Sequence, residues 1–431
     1  MRLKYSGTKG NYLPAIFFMR IETAEDFTDL DSLSMDSKST LYHEYVHFVQ
    51  DITTLYGLGN IAQLVDLQAH LIGRAKEGQN NTFQVPMEIA EGSDLWKRLM
   101  LFDIYEGDKV QQIEGISEIL DVRECPVEGI LDDGHICSIM VSYKDLYGRA
   151  AELEFGAHCI NEGMAHLIQD CLSDDVEANY FPYQIAHRVC AHLYPALAVD
   201  KRNVVYLCDI ALNTSHPAKF FVDMIRALEQ SGMQPAGPEG LYDWFEGKMF
   251  RAADGARYTF YDLYKKQSEL AVKQLQAYFP GELFTALRKW IELVFTSALD
   301  MRIREISFWA DILGPDSKDE RREKFTRLTR NFGYPLMSNR NDAYYFHHPE
   351  IQVPNIEVFR AVAETHKLFL HAQKGCQMKG FCSSGPSGDI TSSLCDEPWK
   401  RIKTKYTCAF TVLWIMWGLA EKTPVFSSET G

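Results

Sequence analysis

The chain has 431 residues, 46% hydrophobic and 24% charged, with a net charge of −15. This suits a folded protein with a substantial core, built as one large domain or a few smaller ones. The negative balance argues against nucleic acid or an anionic membrane as its main partner.

The first residues, MRLKYSGTKGNYLPAIFF, lack the apolar core and small-residue cleavage site of a secretory signal. Residues 15–21 (AIFFMRI) predict a strand, followed by an acidic, Ser-rich loop from Glu22 to Ser39. Leu41, Tyr45, Phe48, Val49, Ile52 and Leu55 recur at spacings of three and four and predict a helix from Thr40 to Tyr56, ended by Gly57 and Gly59. A second helix is expected over Asn60–Ala75. GLGNIA, residues 57–62, follows a helix rather than a strand and reads as a helix stop and restart, not a dinucleotide turn. Beyond a polar loop, KEGQNNTFQ, come three strands, ILDVRECPV, HICSIMVSY and GRAAELEF, the last two joined by KDLY into a hairpin. From His158 onward the pattern is mostly helical, with long stretches at 174–199, 217–230, 259–279 and 282–312. Residues 316–330 (DSKDERREKFTRLTR) read as a solvated helix face, and 383–393 (SSGPSGDITSS) as a flexible loop. The apolar run Cys408–Ala420 is too short to span a bilayer and predicts a buried helix. With no signal and ten cysteines, the expectation is a cytoplasmic protein whose thiols are reduced or metal-bound.

The stretch LYHEYVHFVQD, residues 41–51, carries His43-Glu44-x-x-His47. Histidines four apart lie one turn apart on one helix face, so both rings can reach one ion. The intervening glutamate can take a proton from a metal-bound water and pass it to a leaving group. Catalytic zinc uses three protein ligands, and Glu162, early in the helix predicted after AAELEF, is the candidate third. Its small neighbours Gly163 and Ala165 would let that helix approach the first. His166, one turn on, is a candidate fourth ligand, oxyanion donor or packed histidine. Tyr180 and Tyr183 are candidate oxyanion donors.

This pattern resembles the gluzincin branch of HExxH zinc metallopeptidases. The resemblance implies His43, His47 and Glu162 as zinc ligands and Glu44 as general base. It also implies a sheet beside the motif helix whose edge strand holds an extended peptide, a role the strands between 117 and 155 could fill. The best-known members carry an Asp one turn after the ligand Glu, where this chain has His166. The second partner of the zinc histidines is therefore sought at Asp51, Asp170 or Asp209.

The expected fold is α+β: a zincin-like core over 1–170 with a β-rich insertion at 76–156, then a mostly α-helical region, 171–431, completing the cleft. Cys376, Cys382, Cys395 and Cys408, in the loop region 376–408, are a candidate second, structural metal site. The expected function is a zinc-dependent peptidase acting on protein or peptide substrates, with catalytic Glu44, His166 and Tyr183. A small-molecule zinc amidohydrolase and a non-catalytic helical interaction protein are the rival readings. His347-His348 and the pair His187/His192 are ill-spaced for chelation and read as structural.

Overall fold

A serine and a threonine bound the helix that carries the histidine motif. Ser34 Oγ accepts from the Ser37 N–H at 3.3 Å, with Asp36 in the first turn, where the helix dipole favours an acid. Thr54 closes this helix through its N–H to Gln50 O, and caps the next by accepting from the Gly57 N–H at 3.0 Å. The first helix, α1, therefore spans Met35–Thr53 and the second, α2, Leu55–Glu77. Both start earlier than hydrophobic periodicity alone predicts, because capping serine and threonine carry no apolar signal. Gly57 does not stop a helix. It sits in the first turn of α2, where a Cβ would come within 2.4 Å of the Asp51 backbone, so glycine allows the tight corner between the two helices.

The structure is a computed structural model describing residues 9–109, 113–130, 136–174, 180–232, 237–251, 255–384, 389–404 and 407–427. Before α1 lie strands β1 (Gly10–Leu13) and β2 (Phe18–Ile21). After α2 come β3 (Thr82–Val85), α3 (Asp94–Glu106), β4 (Ile116–Val127), β5 (Ile136–Asp145), β6 (Ala150–Phe155), α4 (Ala157–Leu172), α5 (Ile185–Leu193), α6 (Pro195–Ala198), α7 (Lys201–Leu212), α8 (Pro217–Ser231) and α9 (Pro238–Glu246). The remainder is β7 (Phe250–Arg251), β8 (Arg257–Tyr258), α10 (Phe260–Tyr278), α11 (Thr285–Arg304), α12 (Phe308–Leu313), α13 (Lys318–Phe332), β9 (Leu336–Ser338), β10 (Tyr344–Tyr345), α14 (Val358–His371), α15 (Lys379–Ser384), α16 (Ala409–Met416) and β11 (Thr423–Phe426). The protein is thus mixed α+β, with several small sheets and a large helical region. Of the predicted stretch 174–199, residues 185–198 form α5 and α6, while 175–179 lie outside the described residues, as do 385–388 of the predicted loop. Among the described residues no helix is long and apolar enough to cross a membrane.

The sheet beside α1 is not the predicted one. Its order is β1-β2-β9-β10, with β2 and β9 parallel and the outer pairs antiparallel. The predicted strand 15–21 is in fact a turn followed by β2, and Ala15 and Phe17 in that turn have positive φ of 61° and 54°. Phe17 seals the sheet to the helices, with ring centroids 6.2 Å from Phe48, 5.8 Å from Trp290 and 5.4 Å from Phe359. The strands β4, β5 and β6 form an antiparallel meander with the expected β5–β6 hairpin, and pack on α5 and α8, Phe155 lying 5.7 Å from Phe221. They hand the chain through Gly156 to α4, which packs along α1.

Candidate metal centre

His43 and His47 project from α1 toward α4, and Glu162 meets them from the second turn of α4. His43 Nε2 lies 3.2 Å from Glu162 Oε2 and 3.2 Å from His47 Nε2, and His47 Nε2 lies 3.4 Å from the same carboxylate oxygen. Among the described residues this is the one trio of His, Cys, Asp or Glu ligand atoms lying within 4.8 Å of one another. A tetrahedral zinc with bonds of about 2.0–2.1 Å has ligands about 3.3–3.4 Å apart. Edges of 3.2, 3.2 and 3.4 Å are close to that spacing, so the donor set fits such an ion.

One residue missed in the sequence fixes the chemistry of His47. Gln50 Nε2 donates to the Asn161 carbonyl of α4 at 3.1 Å, which turns its amide oxygen toward His47. The His47 Nδ1–H then donates to Gln50 Oε1 at 2.8 Å, leaving Nε2 for the trio. A glutamine three residues after the second histidine was the available signal. The three acids proposed for this role are engaged elsewhere. Asp51 accepts from Tyr12 Oη at 3.0 Å and the Ala15 N–H at 2.7 Å; Asp170 pairs with Lys201 at 2.8 Å; Asp209 pairs with Arg302.

The electrostatics of the trio follow from burying two imidazoles beside two acids. Burial disfavours charge on His47, but the Glu162 charge and hydrogen bond outweigh it and lift its pKa to about 9. Burial opposes ionisation of Glu162 too, yet the two histidines hold its carboxyl well below the usual range. Glu44 is 5% exposed. Burial pushes it up to about 7, against the pull of His43 and His47 and a hydrogen bond from the Tyr12 N–H. A carboxylate with a pKa near neutrality is suited to move protons at physiological pH.

Of the two candidate tyrosines, Tyr183 reaches the site: its ring lies 5.6 Å from His43 and 5.8 Å from His166. Burial first, then Glu162 and Glu44, raise its hydroxyl above the ordinary tyrosine range, so it is a proton-bearing donor. Tyr180 instead lies under Arg188, 5.5 Å from ring to guanidinium. Gly163 brings Tyr183 in. A Cβ there would meet Ala186 Cβ at 3.2 Å and Tyr183 O at 3.4 Å, so this small residue admits the 183–186 segment rather than α1. His166 stands outside the ligand trio. Burial, then the neighbouring His43, lower its pKa to about 4, which keeps it neutral.

The candidate cysteine site does not assemble. No three of Cys376, Cys382, Cys395 and Cys408 bring their sulfurs within ligand distance of one another. Cys395 Sγ accepts from Arg401 at 3.3 Å and Cys408 Sγ faces Thr411 Oγ1 at 3.2 Å. Burial pushes the Cys382 thiol up to about 12 and Cys376 higher still, opposing the thiolate a metal needs. No family model, curated protein or solved structure matches this chain.

Proposed function

We propose that this protein is a zinc-dependent hydrolase, with peptide bonds as its substrate class. The observation that carries it is the triangle of His43 Nε2, His47 Nε2 and Glu162 Oε2, with edges of 3.2, 3.2 and 3.4 Å, beside the buried acid Glu44. His43, His47 and Glu162 would hold the metal. Bound there, zinc supplies a Lewis acid that eases ionisation of water near neutrality. Glu44 accepts the proton of the attacking water on its carboxylate and returns it to the leaving amine. Tyr183, carrying its proton, donates to the oxygen that gains charge. Gln50 keeps the His47 ring in register. His166, outside the trio, does not close the site with a fourth protein ligand, which favours a catalytic centre over a purely structural one.

The test is metal content together with cleavage of a mixed library of fluorescence-quenched peptides. Wild type carries one zinc per chain, and His43→Ala and Glu162→Ala lose it. Glu44→Gln keeps the zinc and loses about 10²–10⁴-fold in kcat/KM. Zinc retained in His43→Ala, or cleavage undiminished in Glu44→Gln, overturns the proposal.

A further inference from the structure

Strand β1 approaches the motif helix at one point. Gly10 is buried, and a Cβ on it would meet Thr40 Cγ2 at 2.7 Å, Glu44 Oε1 at 2.9 Å and the Arg20 carbonyl at 3.1 Å. Real Cβ atoms keep larger distances, so any side chain at this position has to displace something. Its backbone is ordinary strand backbone paired with Ile21, outside the left-handed region. Conformation therefore does not call for glycine here; space does. Thr40 and Glu44 are one turn apart on α1, so the space left by the missing side chain lies along the turn that carries the acid.

Two residues on, Tyr12 adds a directed contact. Its hydroxyl donates to Asp51 Oδ2 at 3.0 Å, one α1 residue beyond Gln50, and its backbone N–H lies on the side of the Glu44 carboxylate and favours its charged form. Asp51 also accepts from the Ala15 N–H at 2.7 Å. The strand thus meets α1 at Glu44 and is tied to it again about two turns on, at Asp51. A long, rotatable glutamate side chain has many rotamers, and a general base is useful only in the one that faces the reacting proton.

We infer that Gly10 is a positioning residue for Glu44: the absent side chain at Gly10 makes the seat the carboxylate occupies, and Tyr12, through its hydroxyl on Asp51, holds the strand that forms the seat against α1. This rests on the hydrolase reading for its consequence in catalysis, but the seat itself does not. The contacts of Gly10 and Tyr12 with Thr40, Glu44 and Asp51 place the expected effect on proton transfer more than on metal binding.

The experiment uses the full chain and two readouts. Gly10→Ala is made alone and with Thr40→Ser, which removes Cγ2 and leaves Glu44 as the close side-chain neighbour. For the quenched peptide that wild type cuts fastest, Gly10→Ala/Thr40→Ser lowers kcat about 10–100-fold, with KM changed less than about threefold and zinc per chain unchanged. The second readout needs no activity. With Thr40→Ser in both backgrounds, Gly10→Ala lowers the melting temperature by on the order of 3–6 °C when Glu44 is present, and by less than half as much with Glu44→Ala, where the carboxylate it collides with is gone. Equal melting shifts in both backgrounds overturn the seat. The expected melting coupling with kcat unchanged overturns the positioning role. A wild type inert toward every peptide overturns the hydrolase reading and leaves the seat to stand or fall on the melting shifts.

Discussion

Two polar clusters adjoin α1, one at His43 and His47 and one behind its last turn, and they are built differently. Behind the last turn of the helix, Arg302 and Asp209 are both 0% exposed. Arg302 Nη2 and Nη1 donate to the two Asp209 oxygens at 2.5 and 2.9 Å, and its remaining donors reach Thr53 O and Ile306 O. Tyr242 Oη donates to Asp209 Oδ2 at 2.8 Å, and Tyr264 Oη donates to Ile52 O at 2.8 Å. Every charge there has its complement, and the cluster is closed. The trio of His43, His47 and Glu162 brings two imidazole nitrogens and a carboxylate oxygen to one place, and without metal His47, lifted to about 9, brings a proton that it shares with its neighbours there. The first cluster completes itself and holds helices together, whereas the second converges on a common point that a cation could take once His47 gives up its proton.

The contrast can be broken most forcefully at the closed end. Asp209→Ala leaves a buried guanidinium without its counter-charge and costs about 3–5 kcal/mol of stability, read as a lowered urea midpoint. Chains that remain folded still bind one zinc; loss of zinc in folded Asp209→Ala would mean the two clusters are not independent. A smaller effect is expected at Gln50. Gln50→Ala removes the acceptor for His47 Nδ1–H and lowers zinc affinity about 10–100-fold in competition with a chelator, and costs the metal-free chain about 1–3 kcal/mol by stranding the Asn161 carbonyl.

The smallest effect tests the shared proton directly. His47, lifted to about 9, is protonated at pH 7.5 without metal and must release that proton to become a ligand. Zinc uptake at that pH therefore frees about one proton per ion, measurable by calorimetry in buffers of differing ionisation enthalpy, and the release fades above about pH 10. The sign for stability follows. A raised histidine pKa favours the metal-free fold fully below the ordinary histidine range, and that contribution is lost as pH rises through about 9. Proton release that does not change between pH 7.5 and 10 would remove His47 as the proton's holder.

Local signals made parts of this molecule legible. The motif helix, the Glu162 helix, the β5–β6 hairpin and the helices over 217–231 and 260–278 all show in short-range periodicity or turn residues. Tyr183 was found among the candidates because it follows the Glu162 helix closely. The sheet beside α1 was not legible. Its central pairing joins Phe18–Arg20 to Leu336–Ser338, and short strands so far apart in sequence leave no mutual signature. Gln50 carries no charge to mark it as a histidine partner in the sequence, yet a neutral amide fixed by Asn161 O orients an imidazole as an acid would. Gly10 was invisible for another reason: its meaning lies in what a Cβ would strike, which only the packed structure reveals. The cysteines show the reverse error, since closeness along a loop did not bring their sulfurs together.

The pairing of β2 with β9 also sets an order of events in the life of the chain. The helix bearing the histidines is made early, but the sheet that backs it is finished by residues 336–345, and the Leu336 N–H donates to the Phe17 carbonyl at 3.0 Å. On a ribosome, a nascent chain carrying His43, His47 and Glu162 still lacks that backing until most of its length has emerged. Under the hydrolase proposal, competence would therefore arrive as a late event of synthesis.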